Sequence, residues 1–273
     1  MFRRERVELK DGAQVRAMRA AGLVVADALA AVRSALAPGR TTADLDAVAA
    51  RVIADAGAEP SFLGYHGYPA VTCISVNEEI VHGIPGGRVL EAGDVVSVDC
   101  GAIVDGWHGD SAFSTVLDPA DADDLALVDA TERAMWAGIA ALATGDRLGV
   151  VGDAVEDSAA ATGAYGVVQE YTGHGIGRAM HEAPTVLNHR SRERGPRVRP
   201  GLVVAVEPML TRGSRATDEL DDGWTVVTRD GSRAAHWEHT VAVTPGGLWV
   251  LTAADGGAAR LGELGVPVVP WED

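Results

Sequence analysis

The chain has 273 residues, enough for one large domain or two small ones, and it is 47% apolar and 23% charged, which leaves no room for a long disordered arm. A formal net charge of −16 argues against a phosphate-backbone partner, because nucleic-acid binding needs clustered basic surface. No apolar run approaches the length of a membrane span, so no membrane role is expected.

Residues 1–10 (MFRRERVELK) carry positive charge without an apolar region behind it, so no secretory signal is read there. From about residue 11 to 37 apolar residues recur every three or four positions, predicting a helix ended by Pro38 and Gly39. Thr41 or Thr42 caps a second helix, whose apolar face is Leu45, Val48, Ala49, Val52 and Ile53, until Gly57 stops it. The character then changes to β: strands are predicted at 71–76 and 95–100, with a third, 107–117, returning from an Asp105-Gly106 turn.

The order then repeats, with helices near 122–143 and 149–162 and strands near 166–172, 202–210, 224–228 and 235–243. Asp46-Ala-Val48 in the first half is echoed by Asp153-Ala-Val155 in the second. Two related ααββ halves sharing one cleft are therefore expected, and with no flexible linker between them residues 1–273 are treated as a single domain. The segment 171–184 (YTGHGIGRAMHEAP) sets His174 and His181 among three glycines and fits neither a helix nor a strand. Arginines cluster at 190–199 (RSRERGPRVR), which is read as a solvated loop. Cys73 and Cys100 lie outside any C-x-x-C motif, no disulfide framework is expected, and the cytoplasm is the default location.

Chemistry concentrates in four acids. If Asp105 and Gly106 form a two-residue turn, opposite residues sum to 211, so Asp110 faces Gly101. Asp99 lies on the same strand face as Gly101, which makes Asp99 and Asp110 diagonal neighbours. Glu207 ends the apolar run 201–206, and Glu238 interrupts another strand. Each acid alone could sit at a strand end in solvent. Four on successive strands around one cleft are better explained by a shared cation, which offsets their repulsion and their desolvation together. Oxygen-rich ligands with one imidazole, His174, suit Mn, Fe, Co or Zn, and so many carboxylates suggest a pair of ions. The patterns of a helical zinc site, a dinucleotide fingerprint, a Walker loop and a nucleophile elbow are all absent.

Five segments carry a family resemblance: GYHGYP (64–69) with CISVNEEIVHGIPG (73–86), DGWHGD (105–110), TGHGIGRAMHEAP (172–184), VEPML (206–210) and HWEHTVAVT (236–244). Together they resemble type I methionine aminopeptidases of the M24 metallopeptidases, over about residues 8–252. The resemblance implies an α+β pita-bread fold, two pseudo-symmetric ααββ halves around a dimetal cleft. It further implies two divalent metal ions (Co, Mn, Fe or Zn), with Asp99 on one, Asp110 and Glu238 bridging both, and His174 and Glu207 on the other. By the same resemblance His82 contacts the first peptide unit and His181 the scissile peptide. The resemblance also makes Glu207 the acceptor of a proton from the attacking water, whose activation two-metal sites supply. Tyr65, Tyr68, Cys73 and Trp224 match positions around the methionine side chain.

The implied activity is removal of the initiator methionine from nascent polypeptide N-termini when the second residue is small. The ribosome is a candidate partner, and a cytoplasmic monomer is expected. Two departures bear on the pocket: Met180 stands where members of the family often have Phe, and Phe62 where some bacterial members carry Cys. His66, His108, His189, His236 and His239 are read as structural or surface residues. The tail at 252–273 lies outside the resemblance and receives no role. The alternatives are a prolidase or proline aminopeptidase of the same fold, for whose extra N-terminal domain residues 1–10 leave no space, and a non-catalytic binding module of that fold.

Overall fold

The apolar spacing at the start of the chain becomes two capped helices in the computed structural model, which describes residues 7–271. The first six residues, on which part of the secretory-signal reading rests, and the last two of the tail lie outside the described residues. Helix α1 (Gly12–Ala35) begins with a reciprocal box in which the Asp11 carboxylate accepts from Gln14 N and the Gln14 amide oxygen accepts from Asp11 N. Helix α2 (Thr42–Asp55) begins the same way through Thr41 and Asp44. Strands β1 (Glu59–Pro60), β2 (Thr72–Val76), β3 (Glu79–Val81), β4 (Val95–Val104) and β5 (Trp107–Val116) complete the first half.

The second half repeats the plan. It opens with α3 (Ala122–Ala141) and α4 (Val150–Thr162) and continues through β6 (Gly166–Val167), β7 (Gly173–Gly175), β8 (Glu182–Val186), β9 (Val203–Val206) and β10 (Met209–Thr211). After these come β11 (Thr217–Glu219), β12 (Val226–Thr228), β13 (Ala234–His236), β14 (Glu238–Thr244), β15 (Gly247–Val250) and α5 (Ala258–Glu263). The large sheet runs β1-β4-β5-β14-β9-β7-β8, with β2 also on β4 and β15 also on β14. Its two halves meet where β5 pairs with β14.

The helices cover one face of this sheet. Val96, Val98, Cys100 and Ala102 of β4 join Val25, Leu29 and Val32 of α1 in the main core. By alternation Ser97, Asp99 and Gly101 point to the other face. Contact between α1 and β5 is so close that a Cβ on Gly109 would lie 2.7 Å from Gly22 N, so the approach requires glycine there. The β4–β5 register pairs Val104 with Trp107 and Gly101 with Asp110, as the two-residue turn dictates.

Two strands read as continuous are broken, and the breaks matter. The 202–210 run stops after Val206 and resumes at Met209, because Pro208 has no N–H to give a ladder. The 235–243 run is interrupted at Trp237. These breaks lie side by side, between the paired residues Val206–His239 in the large sheet and Met209–His236 in a small sheet of β13, β10 and β6. Glu207 and Glu238 sit at this junction.

The segment 171–184, expected to be neither helix nor strand, is corrected: it contains β7 and the start of β8. Its glycines are packing requirements, since a Cβ on Gly173 would lie 3.0 Å from Val186 Cβ and one on Gly175 would lie 2.6 Å from Ala183 C. The tail also gains a structural place. Val269 N donates to Leu248 O at 2.9 Å, and Arg16 donates to Trp271 O at 3.0 Å, binding the tail to β15 and α1. Among the described residues no helix is long and apolar enough to cross a membrane.

Candidate active site

On the face away from the helices, a cavity of about 140 Å³ opens between the two halves. Asp99, Asp110, His174, Glu207 and Glu238 line its polar end. The end of β9 delivers Glu207 and the start of β14 delivers Glu238, so both are at strand ends, yet the Glu238 residue is only 2% exposed. Ligand atoms of Asp110, His174 and Glu238 all lie within 4.8 Å of one another. His174 Nε2 is 3.4 Å from Glu207 Oε1.

Buried oxygens without partners mark the centre: Asp99 Oδ1, Asp110 Oδ1 and Glu238 Oε1. Burial pushes the Asp99 carboxyl up to about 7. Burial also drives Asp110 well above the usual carboxylate range, with the charges of Glu238 and Asp99 adding to it, and it raises Glu207 and Glu238 in the same way. Four carboxylates in this space ionise together only if positive charge joins them. His174 is prepared for that charge: its Nδ1 is 2.9 Å from Gly175 O, so Nδ1 carries the proton and Nε2 offers a lone pair beside the acids. Burial, with His181 nearby, lowers His174 to about 3 and keeps it neutral. Oxygen-rich donors with one free imidazole nitrogen fit divalent transition ions.

The apolar end of the cavity is formed by Phe62, Tyr68, Cys73, Met180 and Trp224. Cys73 sits opposite Asp99 in the β2–β4 pairing, and the ring centroids of Tyr68 and Trp224 are 5.0 Å apart, edge to face. His82 adopts φ 61°, a left-handed conformation uncommon outside glycine, directly after β3. Its neighbour is pinned: Tyr68 Oη donates to Gly83 O at 3.0 Å, and Gly83 N donates to Ser75 Oγ at 3.1 Å. The His82 ring packs edge-on to Tyr171, and burial lowers it to about 4.

His181 stands at the exposed edge, its Nδ1 2.8 Å from Tyr65 Oη. The segment that carries it is fastened on both sides. Lys10 Nζ bonds Glu182 Oε2 at 2.6 Å, Arg178 stacks over Trp107 at 4.2 Å and donates to Asp105 O, and His108 N donates to Gly177 O.

Every residue named from the sequence for the site therefore lines this one cavity. One further residue, not named for the site from the sequence, stands against Glu207. His236, read as structural, is 2% exposed, and its Nε2 lies 3.8 Å from Glu207 Oε2. A signal existed, since His236 and Glu238 are two apart on what reads as one strand and so share a face. Of the remaining histidines, His108 bonds Ser61, and His239 bonds Ser111 and Thr252. The arginine loop is paired with acids on and beside α4, through Arg190–Asp157, Arg194–Asp153 and Arg197–Asp146.

The chain matches the sequence profile of metallopeptidase family M24 over residues 16–245. It is 51% identical over 252 residues to methionine aminopeptidase 1 of Mycobacterium tuberculosis, a match covering 90% of this chain and 95% of that protein. The crystal structure of methionine aminopeptidase from Thermotoga maritima superposes with a TM-score of 0.88 at 38% identity, over 90% of this chain and 99% of the other. Prolidase from Pyrococcus furiosus shares the fold, with a TM-score of 0.72 at 19% identity, over 90% of this chain and 65% of the prolidase.

Proposed function

The chain belongs to metallopeptidase family M24, and from that premise we propose that it is a methionine aminopeptidase that hydrolyses the first peptide bond of nascent chains whose second residue is small. The observation that carries this reading is the cavity itself, where buried, partnerless carboxylate oxygens face an apolar pocket sized for roughly one side chain.

Asp99, Asp110, His174, Glu207 and Glu238 would hold two divalent ions, of Co, Mn, Fe or Zn. Bound there, such ions supply Lewis acidity and a water of lowered pKa. The protein's own groups do the rest. Phe62, Tyr68, Cys73, Met180 and Trp224 enclose the methionine side chain, with polarisable sulfur on two walls. Tyr65 Oη lies 2.8 Å from His181 Nδ1, and in the tautomer we assign, with Tyr65 as donor, His181 carries its proton on Nε2 for the carbonyl oxygen as negative charge develops on it. Pinned after β3, His82 contacts the first peptide unit. Glu207 accepts the proton of the attacking water and passes it to the leaving amine. A bulky second residue would meet the fastened 176–182 segment, which fits a preference for small ones.

All five proposed ligands lie within one chain, so a monomer suffices. We assign residues 1–273 to one catalytic unit, with the described part of the tail, 252–271, a strap on α1 and β15. Nascent N-termini at the ribosome place the activity in the cytoplasm.

The test is release of methionine from Met-Ala-Ser by metal-stripped protein after adding back Mn²⁺, Fe²⁺, Co²⁺ or Zn²⁺, beside an Ala-Pro dipeptide. Metal-dependent methionine release, absent from Glu207→Ala, is expected. Cleavage of Ala-Pro alone would move the chain to prolidase specificity, and ion binding with neither cleavage would make it a binding module.

A further inference from the structure

The two oxygens of Glu207 face different partners. Oε1 lies 3.4 Å from His174 Nε2, on the side of the acids, while Oε2 lies 3.8 Å from His236 Nε2. His236 Nε2 is buried and has no hydrogen-bond partner, an arrangement that proteins seldom tolerate without a use. Once positive charge at the site ionises Glu207, a nitrogen lone pair aimed at its oxygen would be repelled, so Nε2 is then the protonated nitrogen. The gap exceeds a charge-assisted N–H···O bond by about 1 Å. Such contacts often tighten only in the assembled complex.

The imidazole has a rigid mount. Ser114 Oγ donates to His236 O at 2.7 Å and accepts from His236 N at 2.8 Å. Its remaining acceptor site takes the Ser97 hydroxyl at 2.7 Å. Two hydroxyls on the β4–β5 hairpin, which also carries Asp99 and Asp110, thus set where His236 stands.

We propose that His236 is a positioning residue for Glu207: its Nε2–H donates to Oε2, fixing the carboxylate's rotation so that Oε1 is presented to the ion beside His174 and Oε2 to the transferred proton. Its kinetic consequence rests on the aminopeptidase reading, whereas its consequence for ion affinity does not.

The experiment compares His236→Gln, which keeps a donor, with His236→Met, which has the same length and none. Mn²⁺ affinity of the metal-stripped proteins is measured by calorimetry, and kcat and KM with Met-Ala-Ser. For His236→Met, affinity and kcat should each fall roughly 10–100-fold, as when an outer partner of a metal ligand is removed, with KM nearly unchanged. For His236→Gln both should recover to within a few-fold of the unsubstituted protein. Equal values for His236→Met and the unsubstituted protein, or a Gln variant as impaired as the Met variant, would overturn the proposal. Should His236→Met fail to fold, His236→Asn, whose amide is too short to reach Oε2, takes its place with the same expectations. If the unsubstituted protein binds Mn²⁺ but cleaves no peptide, the aminopeptidase reading fails and calorimetry still decides the role of His236.

Discussion

At Asp99 a carboxyl that would ionise near 4 in the unfolded chain is held at about 7 by burial. A folded pKa raised in this way contributes stability that is complete below about 4 and is lost as pH rises through 7. Asp110, Glu207 and Glu238 are raised in the same sense. Buried His174 and His236, lowered to about 3, work in the opposite direction, but only below the unfolded histidine value of about 6.5. Between pH 6.5 and 8.5 the opposing contribution of the histidines fades while that of the carboxylates continues, so the metal-free protein is expected to melt at lower temperature as pH rises through that window. Thermal melts across it, with and without Mn²⁺, check this, and a metal-free Tm that climbs would contradict it. The neighbourhood of Asp99 and Asp110 was legible from turn arithmetic, because strand alternation and a two-residue turn leave no freedom. The facing of His236 and Glu207 was not, because it depends on how β13 and β10 cross into a second sheet.

The packing of α1 on β5 couples an element to the site. A methyl group on Gly109 would press on Gly22 N and force the helix off the strand, one residue from Asp110. Gly109→Ala is expected to cost about 1–3 kcal/mol of stability and to weaken ion binding as well, because Asp110 shifts with its strand. Urea unfolding of the metal-free protein gives the first quantity and calorimetry the second; a stable variant of unchanged affinity would show that the helix can yield. The four long helices and the β4–β5 hairpin were readable in advance, since their periodicity and caps are local. The junction at Glu207 and Glu238 was blurred into continuous strands, because only pairing partners show where a chain leaves one sheet for another. Glycines packed against neighbouring backbone hid β7 by looking like turn residues.

Across the whole molecule, ions that bind only the folded chain must stabilise it by mass action. Mn²⁺ at a hundredfold its dissociation constant is expected to raise Tm by roughly 5–10 °C. Glu238→Ala should lose both that shift and all peptide cleavage; differential scanning calorimetry with a parallel methionine-release assay checks the pair. The pita-bread plan of two pseudo-symmetric halves was legible as a repeated element order, while the tail's path back to α1 was not, for nothing local marks Trp271 as a partner of Gly12. The seam between β5 and β14 has one more consequence. Asp99 and Asp110 come from the first half, and His174, Glu207 and Glu238 from the second, so neither half alone supplies all five proposed ligands. On that assignment a polypeptide still being made carries an incomplete set, and the set closes only when β14 pairs with β5.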